Sequence, residues 1–243
     1  MLLTTTAGAG EDRAPTGGPV LHLLIQYILT PFARMLYRPS VHGTHRIPSR
    51  GPVLLASNHL AAVDTAVLSV VSPRRVRFLG KAEYFEGTGF KGRFVAKFLS
   101  ALGYVPVERG NAAAGLAALE AARKVLDHGD VFGIYPEGTR SLDGRLYRGH
   151  TGVAALALTT KATVVPVAVK GTERVQPIGK RIPRLAKVIV VFGEPLDFSR
   201  YEGLENSPAI RRAVTDEIMY AISELSGQEY VDHYHKRPAE KTD

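Results

Sequence analysis

Short β-branched runs and helix-period segments take turns along most of this chain, and that alternation limits the possible folds more than any other feature. Residues 53–56, 76–80, 104–107, 131–135, 163–169 and 188–192 read as strands, and residues 64–71, 91–102, 112–126 and 151–160 as helices. Strands joined through helices pair in parallel, and their two apolar faces need helical cover. The predicted fold is therefore α/β, a mixed, largely parallel β-sheet flanked by helices. A last helix is expected from Ser207 as N-cap and Pro208 at its first position, through Val214, Ile218 and Ile222, to a closing Gly227. No internal repeat or linker divides the region, so residues 39–230 are expected to form one domain followed by a polar tail, 231–243.

Composition narrows the chemistry. The 31 basic and 23 acidic residues leave a net charge of +8, which calls for an anionic partner: nucleic acid, a phosphorylated small molecule or an acidic lipid surface. With no cysteine, a thiol nucleophile, a cysteine zinc site and a disulfide framework are excluded. No GxSxG elbow and no HExxH spacing occur, so neither a serine hydrolase nor a zincin is expected.

Residues 1–19 lack apolar periodicity and read as a disordered tail, and the glycines and prolines after Arg13 rule against a secretory signal. Residues 20–38 are strongly apolar, but His22, Gln26, Thr30 and Arg34 recur every four residues and Pro31 interrupts them. That falls short of the roughly 20 continuous apolar residues of a spanning helix. Two readings stay open: an amphipathic helix lying in a bilayer interface, or a core helix with one wet edge.

The densest chemical signal is Ser57-Asn58-His59-Leu60-Ala61-Ala62-Val63-Asp64, just after the first buried strand. A histidine at a strand mouth can act as general base near neutral pH if a carboxylate holds its other nitrogen. Five residues along a regular helix would turn Asp64 away from His59. The pair works only if His59 lies in the turn before the helix and folds back over its first turn. Three further blocks follow in order: Gly103-Tyr104-Val105-Pro106-Val107-Glu108-Arg109, Tyr135-Pro136-Glu137-Gly138-Thr139-Arg140-Ser141 and Val164-Val165-Pro166-Val167.

Together these four blocks resemble the motifs of the glycerolipid acyltransferases, in particular the bacterial 1-acylglycerol-3-phosphate acyltransferases, over about residues 36–194. The resemblance implies a glycerol-3-phosphate acyltransferase-like fold in which His59 is the catalytic base and Asp64 its orienting partner. It implies that Asn58, Lys81, Arg109, Glu137, Gly138, Thr139, Arg140 and Pro166 serve substrate binding, with Pro166 on the acyl-donor side. The implied reaction moves a fatty acyl group from acyl-CoA or acyl-carrier protein to the free hydroxyl of lysophosphatidate, giving phosphatidate, with no metal and no cofactor beyond that co-substrate. Guanidinium groups match phosphate oxygens, so Arg109 and Arg140 could grip one phosphate. Glu137 is harder to explain as a phosphate ligand, because two anions repel. It is expected to hold Arg140 or a glycerol hydroxyl, or to cap a turn. A lipid product favours the interfacial reading of residues 20–38, on the cytoplasmic face of the membrane and as a peripheral or monotopic protein. Basic clusters at Arg74, Arg75, Arg77, Lys81, Lys91, Arg93 and Lys97, and at Lys180, Arg181, Arg184 and Lys187, could meet CoA phosphates, a carrier protein or an anionic lipid surface.

Three positions depart from the family pattern: Pro106, Tyr135 where phenylalanine is usual, and Ala168. Rival readings remain. Gly87-Thr88-Gly89-Phe90-Lys91-Gly92 spells GxGxxG, a dinucleotide fingerprint, but Ala82 to Glu86 intervene between strand and first glycine, so the tight turn at the strand end is lost. Water in place of the acceptor would make a thioesterase or lysophospholipase. A non-catalytic anion-binding module is the third rival. Nucleic acid is disfavoured because aromatics do not interleave the basic clusters in the way single-strand binders arrange them.

Overall fold

The structure, a computed structural model, describes residues 27, 30–87, 89–101, 103–107, 112–180 and 183–235. Helix α1 (Thr30–Tyr37) leads into β1 (Ser40–His42), β2 (Val53–Ser57), α2 (Asp64–Val71) and β3 (Val76–Lys81). Next come α3 (Gly89–Ala101), β4 (Tyr104–Val107), α4 (Ala112–Asp127), β5 (Val131–Ile134), β6 (Leu146–Tyr147) and α5 (Gly152–Thr160). The chain closes with β7 (Thr163–Lys170), α6 (Thr172–Val175), β8 (Ile189–Phe192), α7 (Pro208–Ser226) and β9 (Tyr230–Val231).

Seven strands form one sheet in the order β1-β8-β7-β2-β5-β3-β4. From β7 to β4 all neighbours are parallel, as the helical crossovers require; β8 runs antiparallel to β7, and β1 parallel to β8. The largely parallel α/β sheet expected from the alternation is what the chain adopts. Central β2 is buried at all five positions and supplies both faces: Val53 and Leu55 join one cluster with Leu68, Val76 and Val167, while Leu54 and Ala56 join the other with Leu126, Leu156, Ile218 and Ile222. Burying each of these leucines contributes on the order of 2 kcal/mol. Ser207 accepts from the Ile210 amide and Gly227, at φ 69°, ends α7, as the capping signals predict.

Pro166 lies inside β7, where a missing N–H would ordinarily break a ladder. Its carbonyl bonds the Gly193 amide, just past Phe192 at the end of β8, so its nitrogen faces a point where β8 has already left the ladder.

Residues 1–19 and most of the expected helix 20–38 lie outside the described residues. Its described portion, α1, has Pro31 in its first turn, and Arg34 donates from Nε and Nη2 to the Val70 carbonyl at 3.1 and 2.5 Å, docking α1 on α2. Phe32, Met35 and Leu36 are exposed. No helix among the described residues is long and apolar enough to cross a membrane. The polar tail expected from residue 231 begins instead inside a strand. Tyr230 and Val231 pair with Leu146 and Tyr147, and the chain is held as far as His235, whose ring lies 4.2 Å from that of Tyr147. Two-residue pairings leave no period to read.

Candidate active site

Every strand from β4 to β7 points the same way, so Val107, Lys81, Ile134, Ser57 and Lys170 all end at one edge of the sheet. Loops leaving that carboxyl edge are where open α/β sheets assemble sites. The loop after β2 carries His59, and the loop after β5 carries Tyr135 to Ser141.

His59 lies in the turn before α2, as its pairing with Asp64 requires. Its Nδ1 is 2.8 Å from Asp64 Oδ2, and the same oxygen accepts the Leu60 and Ala61 amides at 2.7 and 2.9 Å. An oxygen that already receives two N–H groups at a fully buried carboxylate is an acceptor, so Nδ1 must donate and Nε2 carries the free lone pair. Nε2 has no hydrogen-bond partner among the described residues, and the side chain is 17% exposed. The imidazole lies flat on Tyr135, with ring centroids 3.9 Å apart and 12° between planes. Burial, reinforced by the negative charge of Asp64, pushes the Tyr135 phenol well above its usual range, so it stays a neutral hydroxyl and shares a 2.9 Å hydrogen bond with Thr65.

The two loops are laced together. Ser141 donates its amide to the His59 carbonyl at 2.8 Å, and His150 donates its amide to Pro136. Glu137 is buried, and its Oε2 accepts the Tyr147 amide at 2.9 Å, so it closes the loop between β5 and β6. Of the three roles expected for it, turn-capping matches this geometry; no bond joins it to Arg140. Burial raises its carboxyl to about 7, against the opposing pull of the Tyr147 and His59 amides. Asp143 braces the far side of the loop, accepting the Tyr147 hydroxyl, the Ser141 hydroxyl and the Arg145 amide and guanidinium; these bonds, the tyrosine's first, hold it well below the carboxylate range.

Arg140 is exposed and without a hydrogen-bond or ion-pair partner among the described residues, one residue from the Ser141 amide that binds His59. Gly138, at φ 70°, is exposed, and a Cβ there would lie 3.1 Å from His150. Thr139 is half-buried between them. Lys81 ends β3 at this same edge, although its side chain is not among those described. Arg109 lies outside the described residues, two positions beyond the end of β4.

Two expected substrate-binding residues are buried against protein partners. Asn58 is buried, with Nδ2 donating to the Val169 carbonyl and to Gln228 Oε1, and Oδ1 accepting the Val169 amide. It acts as an extra rung between the ends of β2 and β7 because its carboxamide copies a peptide group. Pro166 is buried in the sheet, near enough to Gly193 to crowd any side chain there. The first basic cluster is divided too. Arg74 binds the carbonyls of Pro48, Gly51 and Gly129, Arg75 that of Ser100, and Arg77 pairs with Asp130 at 3.7 Å; all three precede or begin β3, at the opposite edge of the sheet. The glycine fingerprint has a packing explanation. A Cβ on Gly92 would meet the Gly87 backbone at 2.1 Å, and the short turn of helix Ala82–Tyr84 stands between the strand and the first glycine.

Sequence reading missed Gln228 and saw Tyr135 only as a departure from a family pattern. Gln228 is 170 residues from Asn58, and its Nε2 also donates to the Gly144 carbonyl, so no local signal could have marked it.

The acyltransferase family model matches residues 38–170. The 1-acyl-sn-glycerol-3-phosphate acyltransferase of Bacillus subtilis is 29% identical over 73% of this chain and 85% of its own length. A chloroplastic enzyme of the same name from Arabidopsis thaliana is 29% identical over 70% of this chain, which spans 47% of that relative. The crystal structure of the 1-acyl-sn-glycerophosphate acyltransferase PlsC from Thermotoga maritima superposes with a TM-score of 0.61 at 22% identity, covering 85% of this chain and 82% of that one, and so shares the fold.

Proposed function

This chain belongs to the acyltransferase family, and from that premise we propose that it acylates the free hydroxyl of lysophosphatidate, yielding phosphatidate for phospholipid synthesis. The observation that carries the reading is the oriented imidazole. Asp64 holds Nδ1, so the Nε2 lone pair is left free at the carboxyl edge, and the loop whose Ser141 amide binds the His59 carbonyl carries Arg140, which has no partner among the described residues. The names of the Bacillus and Arabidopsis relatives support this acceptor.

In the mechanism, His59 Nε2 takes the acceptor hydroxyl's proton as that oxygen attacks the thioester carbonyl carbon. The tetrahedral centre then collapses, the C–S bond breaks, and the departing sulfur takes the proton back from the imidazolium. Asp64 stabilises the imidazolium between these steps. Arg140, with Arg109 and Lys81 from the neighbouring strand ends, binds the acceptor phosphate; Gly138 and Thr139 shape the approach to it. Asn58, Glu137 and Pro166 act from inside the protein by fixing the strand ends and the loop. The donor is an acyl thioester, acyl-CoA or acyl-carrier protein. The exposed Phe32, Met35 and Leu36 of α1 rest against the anionic lipid surface that presents the acceptor, on the cytoplasmic face.

The test is purified enzyme with lysophosphatidate in lipid vesicles and a panel of CoA and carrier-protein thioesters, with products identified by mass. Phosphatidate formed by wild type and not by His59→Ala supports the reading. Release of free fatty acid without phosphatidate would make the protein a thioesterase instead.

A further inference from the structure

We propose that Tyr135 is a positioning residue for the base, fixing the plane of the His59 imidazole from which Nε2 meets the acceptor hydroxyl. The inference rests on the reading of His59 as that base. One hydrogen bond fixes a point: with Nδ1 held by Asp64, the ring can still swing about that contact and carry Nε2 off line. A stacked face removes this freedom. The Tyr135 ring lies nearly parallel to the imidazole, 3.9 Å away, and is itself prevented from retreating or sliding.

Phe78 stands beyond Tyr135, with centroids 5.9 Å apart and 19° between planes, so three rings form one pile. Gly133 makes room for the last of them, because a Cβ there would lie 2.2 Å from Phe78 Cε1. At its other end the phenol is tied to Thr65, the residue that follows Asp64 at the start of α2. One helix start therefore anchors both contacts, with Asp64 on the edge of the imidazole and Thr65 on the tyrosine that covers its face. As the base takes up a proton it becomes a cation on a π-face, an attraction the resting neutral ring lacks, so the stack favours the reacting state over the ground state. The Tyr135 hydroxyl thus serves base alignment through its bond to Thr65.

The experiment compares the full chain with His59→Ala, Tyr135→Leu, Tyr135→Met and Tyr135→Phe in steady-state acyl transfer, both substrates varied, with thermal denaturation as the folding control. Tyr135→Leu should lower kcat about 10- to 100-fold, the scale of losing a near-attack alignment, while both KM values stay within about twofold. Tyr135→Phe should recover most of the loss, to within about threefold of wild type, because it keeps the flat face and lacks only the tether. If Tyr135→Leu does not fold, Tyr135→Met, which fills similar space without a planar face, carries the same expectation. A kcat within twofold of wild type in the folded aliphatic variant, a defect confined to KM, or Tyr135→Phe as impaired as Tyr135→Leu would each overturn the proposal. The two readings separate cleanly. Near-normal turnover by His59→Ala removes the base and this inference with it, whereas an inactive His59→Ala beside a fully active Tyr135→Leu removes only the inference.

Discussion

Asp64 holds His59 at 2.8 Å with the same oxygen that accepts the Leu60 and Ala61 amides, so the carboxylate that orients the base also builds the turn that carries it. Orientation and local folding are here one interaction. The other carboxylate oxygen, Oδ1, is buried without a hydrogen-bond partner among the described residues.

Two substitutions at Asp64 should therefore separate the roles. Asp64→Asn keeps an oxygen for the two amides but loses the charge that stabilises the imidazolium. It should stay folded and lose at least about 10²-fold in kcat. Asp64→Ala also strands two amides, at about 1–3 kcal/mol each if water cannot reach them. Paired denaturation and rate measurements check this; an Asp64→Asn enzyme with normal kcat would refute it.

Arg140→Ala should raise the acceptor KM at least about tenfold with the thioester KM nearly unchanged, since a charge-assisted hydrogen bond to phosphate is worth roughly 1.5–3 kcal/mol. Steady-state kinetics with lysophosphatidate checks it; an unchanged acceptor KM would remove Arg140 from phosphate binding.

Glu137 gives the protein a pH-dependent stability. Its carboxyl rises from 4.5 to about 7 on folding because it is buried, so between those values the folded chain keeps a proton the unfolded chain has released. Stability must then fall as pH rises through that window, by up to about 3 kcal/mol, and level off above pH 7. Glu137→Gln keeps an acceptor for the Tyr147 amide and has no such titration. Urea denaturation at pH 5 and pH 8 should show the variant gaining on wild type at the higher pH; a difference independent of pH would contradict the account.

Asn58→Ala removes the carboxamide from both the amide and the carbonyl of buried Val169 and leaves Gln228 without that donor. A loss of about 2–4 kcal/mol is expected. Gln228→Ala should cost less, about 1 kcal/mol, because Asn58 keeps its bonds to β7. Denaturant unfolding orders the two; equal losses would show that the strand-end rung is not what matters.

Gly133→Ala drives a methyl group into Phe78 at 2.2 Å, and the ring can yield only toward Tyr135 or the core. Overpacking of this kind costs about 1–3 kcal/mol. Thermal denaturation should record it; a melting temperature equal to wild type would mean the ring has room to move.

Periodicity made the sheet legible because burial on both faces imposes near-continuous apolar runs on central strands such as Val53–Ser57 and Thr163–Lys170. It could not disclose Ser40–His42, three residues at the sheet edge, nor that Ile189–Phe192 runs antiparallel, since a lone strand carries no sign of its direction. Motif spacing pointed to His59, Asp64 and the Glu137 to Arg140 loop. The charge count could not tell Arg74, a clamp on three carbonyls at the far edge, from Arg140, which has no partner among the described residues.

By itself, the order of residues determined which chemistry is available: an imidazole five places before a carboxylate, arginines just past strands, no thiol, and a strand-helix rhythm that yields a parallel sheet. Those properties are local, carried by residue type and short spacing. Only the tertiary structure decided that Asn58 faces inward, that Glu137 closes a loop, and that Tyr135 lies beneath the base. Two depend on partners far along the chain, Val169 and Gln228 for Asn58 and Thr65 and Phe78 for Tyr135, while Glu137 meets the Tyr147 amide across the loop it closes. Which buried polar or aromatic group meets which is settled by how the strands close into one sheet, and no nearest-neighbour pattern records that.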